Sequence, residues 1–195
     1  MPAAHRFYPD AEFLVEDPTA RGLVSFGAVD DAGREIYRIN RDVDLAAVAR
    51  EPFLMDHVVP HLPLRVVHPL TAGPALDGPR LVWDRTHPDY PFVKPVDEIA
   101  SDLTDWFAFY ADTEPRAYGY YGVDDFARLH RLWNGRWGIM PRAVPRVFQD
   151  LEAIVRALDL EAEPGGINHR AIDDAHAHRA LHELLMEKAD WVAVL

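Results

Sequence analysis

Two carboxylates, Asp10 and Glu12, stand two residues apart inside Phe7-Tyr8-Pro9-Asp10-Ala11-Glu12-Phe13, an otherwise apolar run that reads as a β-strand. Side chains two apart on a strand share a face. Two acids on one face of a buried strand repel each other and lose hydration, so they are costly without a cation between them, and a divalent metal answers that need. The other reading ends the strand at Asp10 and turns both acids to water. Asp124 and Asp125 follow at a strand-to-helix junction, where α/β proteins often put functional side chains, although helix capping also accounts for either acid. Near the C-terminus, Asp174 lies among Ala171, Ala175 and Ala180 on a small-residued helix face that can approach other backbone closely. His169 sits five residues earlier, at or before the helix start. Histidine is the side chain best poised to take a proton near neutral pH. The plain alternative makes Asp174 a solvated helix acid and His169 a surface loop residue.

Other motifs lack a necessary residue. His182-Glu183-Leu184-Leu185-Met186 begins like a zincin but has Met186 where the second ligand belongs. His178 and His182 are spaced i, i+4, for which packing is a better reading than zinc. The serines, Ser25 and Ser101, are not in G-x-S-x-G, and neither a P-loop nor G-x-G-x-x-G occurs.

The elements that must position these groups follow from the pattern. Gly22 to Val29 reads as a buried strand, Asp30-Asp31-Ala32-Gly33 as a turn and Glu35 to Ile39 as a returning strand, so the chain opens as a three-stranded meander. Asp44 to Arg50 and Pro52 to Val59 read as short helices. A proline-rich excursion over about residues 64–93 holds two apolar runs, Leu64 to Val67 and Leu81 to Trp83, that can form a small hairpin. Helices are expected over Asp97 to Tyr110, Val123 to Trp133 and Arg170 to about Lys188. Val144 to Leu158 carries a further helical stripe, with room for a short strand before it. Ala117 to Tyr121 reads as a fourth strand.

The chain has 195 residues, 49% of them apolar, enough for one core; no linker or repeat divides it, so one domain is expected. Twenty basic against 32 acidic residues leave a net charge of −12, which argues against polyanion binding by bulk charge. Without cysteine there are no thiolate sites or disulfides. No signal-like N-terminus or long apolar run occurs, so a cytoplasmic protein that does not engage membranes is expected. One stretch departs from the acidic average. From Phe126 to Gln149 there are Arg128, Arg131, Arg136, Arg142 and Arg146 with Trp133 and Trp137, and no acid. Arginines beside stacking rings suit single-stranded nucleic acid, which makes Arg128 and Trp133 candidates for substrate contact; equally, the tryptophans can belong to the core.

Asp10-x-Glu12 on a first strand, Asp125 at a mid-chain helix start, and His169-x4-Asp174 near the C-terminus together resemble the DEDDh family of 3′-to-5′ exonucleases. The resemblance is closest to the actinobacterial ribonuclease T-like, polyadenylate-specific 3′-exoribonucleases. It also runs through Asp31 to Tyr37, His57 to Pro63 and Gly122-x-x-Asp125 with Leu132-Trp133. It departs at Ala11, where these relatives usually carry Thr, and at Pro9, which gives up a ladder N–H.

The resemblance implies an α/β ribonuclease H-like fold, with a five-stranded mixed sheet flanked by helices. It implies a metal-dependent exoribonuclease acting on single-stranded or overhanging RNA 3′ ends, A-rich ones among them, and releasing nucleoside 5′-monophosphates. Asp10, Glu12 and Asp174 would hold one Mg²⁺ or Mn²⁺, and Asp10 with Asp125 a second. Glu12 and His169 would be the catalytic pair, with His169 as general base. Phe13 would pack on the terminal nucleotide, and backbone near Ala11 would meet its hydroxyls. A homodimer is a further expectation. The alternatives are a DEDDh enzyme on DNA or short oligonucleotides, and a catalytically weak RNA-binding module.

Overall fold

Alternation along the first strand sets the architecture. In a computed structural model, which describes residues 4–68, 80–109 and 114–188, β1 (Ala4–Phe13) pairs antiparallel with β2 (Leu23–Asp30) from Phe7↔Asp30 to Phe13↔Leu23. β2 returns through the Asp30-to-Gly33 turn into β3 (Glu35–Asn40), completing the expected meander. Asp30 Oδ1 accepts the N–H groups of Ala32 and Arg34, and Gly33 takes the left-handed conformation (φ 82°) the turn requires.

Two short helical pieces follow β3. The first is α1 (Leu45–Val48), capped by Asp44. The second, expected as a helix over Pro52 to Val59, is a π-helical turn (Leu54–Val58) that tightens into a 3₁₀ turn (Val59–His61). The proline-rich excursion contains the anticipated hairpin, β4 (Leu64–Val67) with β5 (Arg80–Trp83), registered from Leu64↔Trp83 to Val67↔Arg80; its residues 69–79 lie outside the described ones. The chain continues through β6 (Val93–Lys94), α2 (Val96–Ala108), β7 (Glu114–Gly119), α3 (Val123–Arg131), β8 (Val147–Asp150), α4 (Leu151–Ala157) and α5 (Ala171–Lys188). The expected end of α2 at Tyr110 lies outside the described residues.

The main sheet runs β6-β3-β2-β1-β7-β8. β7 and β8 are parallel to β1 and β6 is parallel to β3, so β2 alone is reversed. The five strands β3-β2-β1-β7-β8 form the expected five-stranded mixed sheet. The sixth strand, absent from the sequence reading, is two residues long and exists through Ile39↔Val93 and Asn40↔Lys94. Nothing in the local pattern of Val93-Lys94 distinguishes a strand from a loop.

Helices cover both faces. Phe7 and Ala11 of β1 pack with Ile99, Leu103, Trp106 and Leu129 from α2 and α3. Tyr8 turns the other way, onto a cluster with Leu151, Ala175, Leu181 and Leu185 from α4 and α5. Asp10 and Glu12 share the parity of Tyr8 and therefore face α5. The start of α5 comes very close to the sheet: a Cβ on Gly27 of β2 would lie 2.4 Å from backbone atoms of Ala171 and Ile172. Pro9 is accommodated because pairing of β1 with β7 ends at Phe7↔Ala117, and the Pro9 carbonyl instead accepts from His178 Nδ1 on α5 (3.2 Å). Among the described residues no helix is long and apolar enough to cross a membrane.

Candidate functional site

Three elements deliver the acids to one place, the C-terminal end of β1. Asp10 and Glu12 come from the α5-facing side of the strand, and Asp174 from the first turn of α5. Asp125 lies in the first turn of α3, the helix packed behind β1, and accepts the backbone N–H of Ala11. It therefore does not cap its own helix, whose N-cap is Gly122, and its neighbour Asp124 is left exposed. His169 closes the group from the rim: Glu12, His169 and Asp174 offer ligand atoms all within 4.8 Å of one another. A cleft of about 440 Å³ opens here, with Phe53, Tyr120 and Ile167 among its walls, within the range of small-molecule sites.

The electrostatics are those of a site short of positive charge. Burial, with the charges of Asp125, Glu12 and Asp174 added, pushes the Asp10 carboxyl well above the usual carboxylate range. Glu12 is pushed up to about 8, first by burial and then by Asp174 and Asp125. Asp125 rises to about 7 because it is buried, against the opposing effect of the Ala11 N–H. Asp174 is also raised by burial, although two backbone N–H bonds work against it. Asp10 Oδ2 is buried and has no hydrogen-bond partner among the described residues. Converging oxygen donors, an orphaned carboxylate oxygen and carboxyls that hold protons against their ordinary pKa fit a hard divalent cation.

The His169 loop is held in a closed network. Asp174 Oδ1 accepts the N–H of Asn168 and Oδ2 that of His169, both at 2.9 Å. Asn168 Oδ1 accepts the Arg170 N–H (2.9 Å), and its Nδ2 donates to Asp173 Oδ2 (3.0 Å). His169 itself sits in the left-handed region (φ 62°), uncommon for a residue with a side chain. Its Nδ1 is 3.7 Å from Glu12 Oε1. Its ring lies 4.9 Å from Phe53, edge to face, and 5.4 Å from His57. His57 lies in the π-helical turn and Phe53 immediately precedes it.

Other sequence-derived candidates divide. Phe13 packs against the α2–α3 core beneath the Arg128 guanidinium, which lies 4.4 Å from its ring centre, and is not among the residues lining the cleft, whereas Ala11 is. Arg128 is itself buried and donates to the Asp17 carbonyl, so it braces the end of β1 rather than presenting a free cation. Trp133 is 9% exposed and packs in the α2–α3 core, away from the cleft. The basic, aromatic stretch is thus split: Trp133 joins the core, while Trp137 is 58% exposed with the Arg146 guanidinium 5.6 Å from its ring. His178 and His182 are buried and neutral, burial lowering both to about 4. His178 donates to Pro9 O and turns Nε2 towards Asp10 Oδ1 at 3.9 Å; His182 pairs with the Tyr8 hydroxyl (2.8 Å) and stacks on Tyr118. The packing reading of this pair holds.

Phe53, Tyr120 and His178 line the cleft without having been singled out as site residues. For His178 a signal existed, since it lies one helical turn after Asp174. Phe53 and Tyr120 carry none, because their approach depends on how distant elements pack.

No family model and no curated protein matches the chain. Among solved structures, the product-bound form of exonuclease I aligns with 94% of this chain and 43% of its own, at a TM-score of 0.48 and 11% sequence identity. The chain thus spans less than half the length of that neighbour.

Proposed function

We propose that the chain is a metal-dependent 3′-to-5′ exoribonuclease of the DEDDh type. It would remove nucleoside 5′-monophosphates from RNA 3′ ends, on the pattern of the polyadenylate-specific enzymes it resembles. The observation that carries this is the cluster of Glu12, Asp174 and His169 at the end of β1, with Asp10 beside it and Asp125 near enough to add its charge to that of Asp10. Asp10, Glu12 and Asp174 would hold one divalent cation and Asp10 with Asp125 a second, and Mg²⁺ or Mn²⁺ suits such oxygen donors. Bound there, the ions would acidify a water and stabilise charge on the attacked phosphate and the leaving oxygen.

The protein groups do the rest. His169 takes the proton of the attacking water at Nε2, and the imidazolium that forms directs its Nδ1–H side to Glu12 Oε1, 3.7 Å away. Water attacks the last phosphodiester phosphorus, the bond to the 3′ oxygen of the penultimate nucleotide breaks, that oxygen leaves with the electron pair and takes a proton from solvent to become a hydroxyl, and the phosphate stays on the 5′ oxygen of the released nucleotide. Phe53, on the cleft wall, offers a face for the terminal base or sugar. The four acids also account for how so acidic a chain attracts phosphate: cations held by them supply the local positive charge.

Product identity tests the reading. Chromatography of an RNA digest is expected to yield nucleoside 5′-monophosphates in Mg²⁺ or Mn²⁺ and nothing in EDTA. Nucleoside 3′-phosphates, or hydrolysis that persists in EDTA, would overturn it.

A further inference from the structure

The proline-rich excursion reaches the catalytic loop through one residue. Arg170 follows His169 directly, and its side chain leaves the loop to grip three elements. Nε and Nη2 both donate to Asp89 Oδ2 (3.2 and 3.1 Å), Nη1 donates to Asp173 Oδ1 on α5 (2.8 Å), and the guanidinium lies 5.0 Å from the Tyr37 ring of β3. Asp89 belongs to the last turn of the excursion and is well shielded, its side chain 15% exposed. That turn is itself fixed. Asp84 Oδ1 accepts from the Thr86 N–H and hydroxyl, the Asp89 N–H donates to His87 Nδ1, and Phe92 packs 5.5 Å from Tyr37. A forked guanidinium on a shielded carboxylate holds direction as well as distance.

Between these anchors His169 has little freedom. Asn168 and His169 are tied by their N–H groups to Asp174, Arg170 is tied by its side chain to Asp89, and His169 bridges them in a left-handed conformation. We propose that Arg170 and Asp89 form a latch by which the proline-rich excursion positions His169 for proton transfer, making both positioning residues. This rests on the reading of His169 as the group that takes the proton. The latch acts on the angle and reach of the imidazole, not on the acids, so it governs turnover and leaves cation affinity alone.

The test is a cycle between the latch and His169. Asp89→Asn keeps the shape and removes the charge; Arg170→Lys keeps the charge and removes the fork. Each is made in the native chain and in His169→Ala, with kcat and KM measured on single-stranded RNA in Mn²⁺ and Mn²⁺ affinity measured without RNA. In the native chain each variant is expected to lower kcat about tenfold or more, with KM and Mn²⁺ affinity within about twofold. In the His169→Ala chain neither is expected to lower it further. Equal losses in both backgrounds, or no loss in the native chain, would overturn the latch. Amide exchange keeps the question separate from activity: Asp89→Asn is expected to speed exchange of the Asn168 and His169 N–H groups about tenfold, and unchanged exchange overturns the latch even if the chain cuts no RNA. Loss of the proposed function itself would read differently, as absence of RNA hydrolysis by the unsubstituted chain.

Discussion

Removing divalent cations should make the protein's stability fall as pH rises through neutrality. Glu12 and Asp125 bind protons in the folded chain at about 8 and about 7, against ordinary values of 4.5 and 3.8. Their contribution is fully present below the ordinary values and is lost as pH rises through the folded ones. His178 and His182 have the opposite sign: lowered to about 4 from 6.5, they stabilise above 6.5 and cease to do so as pH falls towards 4. Between pH 6.5 and pH 8 the two effects compete. Glu12 loses about 1.7 kcal/mol and Asp125 about 0.8 kcal/mol over that interval, while each histidine gains about 0.4 kcal/mol. The net decline is about 1.7 kcal/mol, and Asp10, raised by the same causes, adds to it. For 195 residues, that is a drop in Tm of roughly 4 °C. The assay is thermal unfolding in EDTA across the interval, repeated in millimolar Mn²⁺, which should raise Tm and flatten the slope by neutralising the acids. Glu12→Gln should remove most of the slope in EDTA. Stability that is level or rising with pH in EDTA, or unmoved by Mn²⁺, would refute the electrostatic account of the site.

Further outcomes follow from the same geometry. Asp10→Asn is expected to abolish Mn²⁺-dependent hydrolysis yet raise Tm in EDTA at pH 8, since it removes the charge of a carboxylate whose Oδ2 is buried with no hydrogen-bond partner among the described residues; a lower Tm would mean that Asp10 is stabilising without metal. His169→Ala is expected to lower kcat about 10²-fold or more while Mn²⁺ affinity, read by calorimetry, changes little; a large loss of affinity would instead make His169 a ligand beside Glu12 and Asp174. Gly27→Ala would force the start of α5 away from β2, at a cost of about 1–3 kcal/mol in chemical unfolding, and would carry Asp174 off with it. Retained stability and activity in that variant would show that the helix can shift without harm.

Much of this site could be read from the chain because its key geometry is local. Alternation put Asp10 and Glu12 on one face of β1, and the small residues around Asp174 correctly marked a helix face that approaches backbone closely, with Gly27 as the unanticipated partner. The two runs within the excursion paired as a hairpin because both are apolar and flanked by turn residues. What stayed hidden is what depends on distant packing. The Arg170–Asp89 contact joins residues 81 positions apart, and Phe53 meets the ring of His169, far from it in the chain, by a packing that no local pattern signals. Composition placed arginines beside tryptophans between Phe126 and Gln149, but it carries no information on which ring turns inward, so Arg128 and Trp133 read equally as substrate contacts and as the buried groups they are. The sixth strand is a two-residue extension made by its neighbour.

The most direct measurement is hydrolysis of a single-stranded RNA and the matching DNA, each labelled at the 3′ end or the 5′ end, in Mg²⁺, Mn²⁺ and EDTA, with Asp10→Asn alongside. The account predicts immediate mononucleotide release from the 3′ label and a stepwise shortening ladder from the 5′ label, faster on RNA than on DNA, and neither in EDTA nor with Asp10→Asn. Internal cleavage, shortening from the 5′ end, or intact polymer in every metal would contradict it.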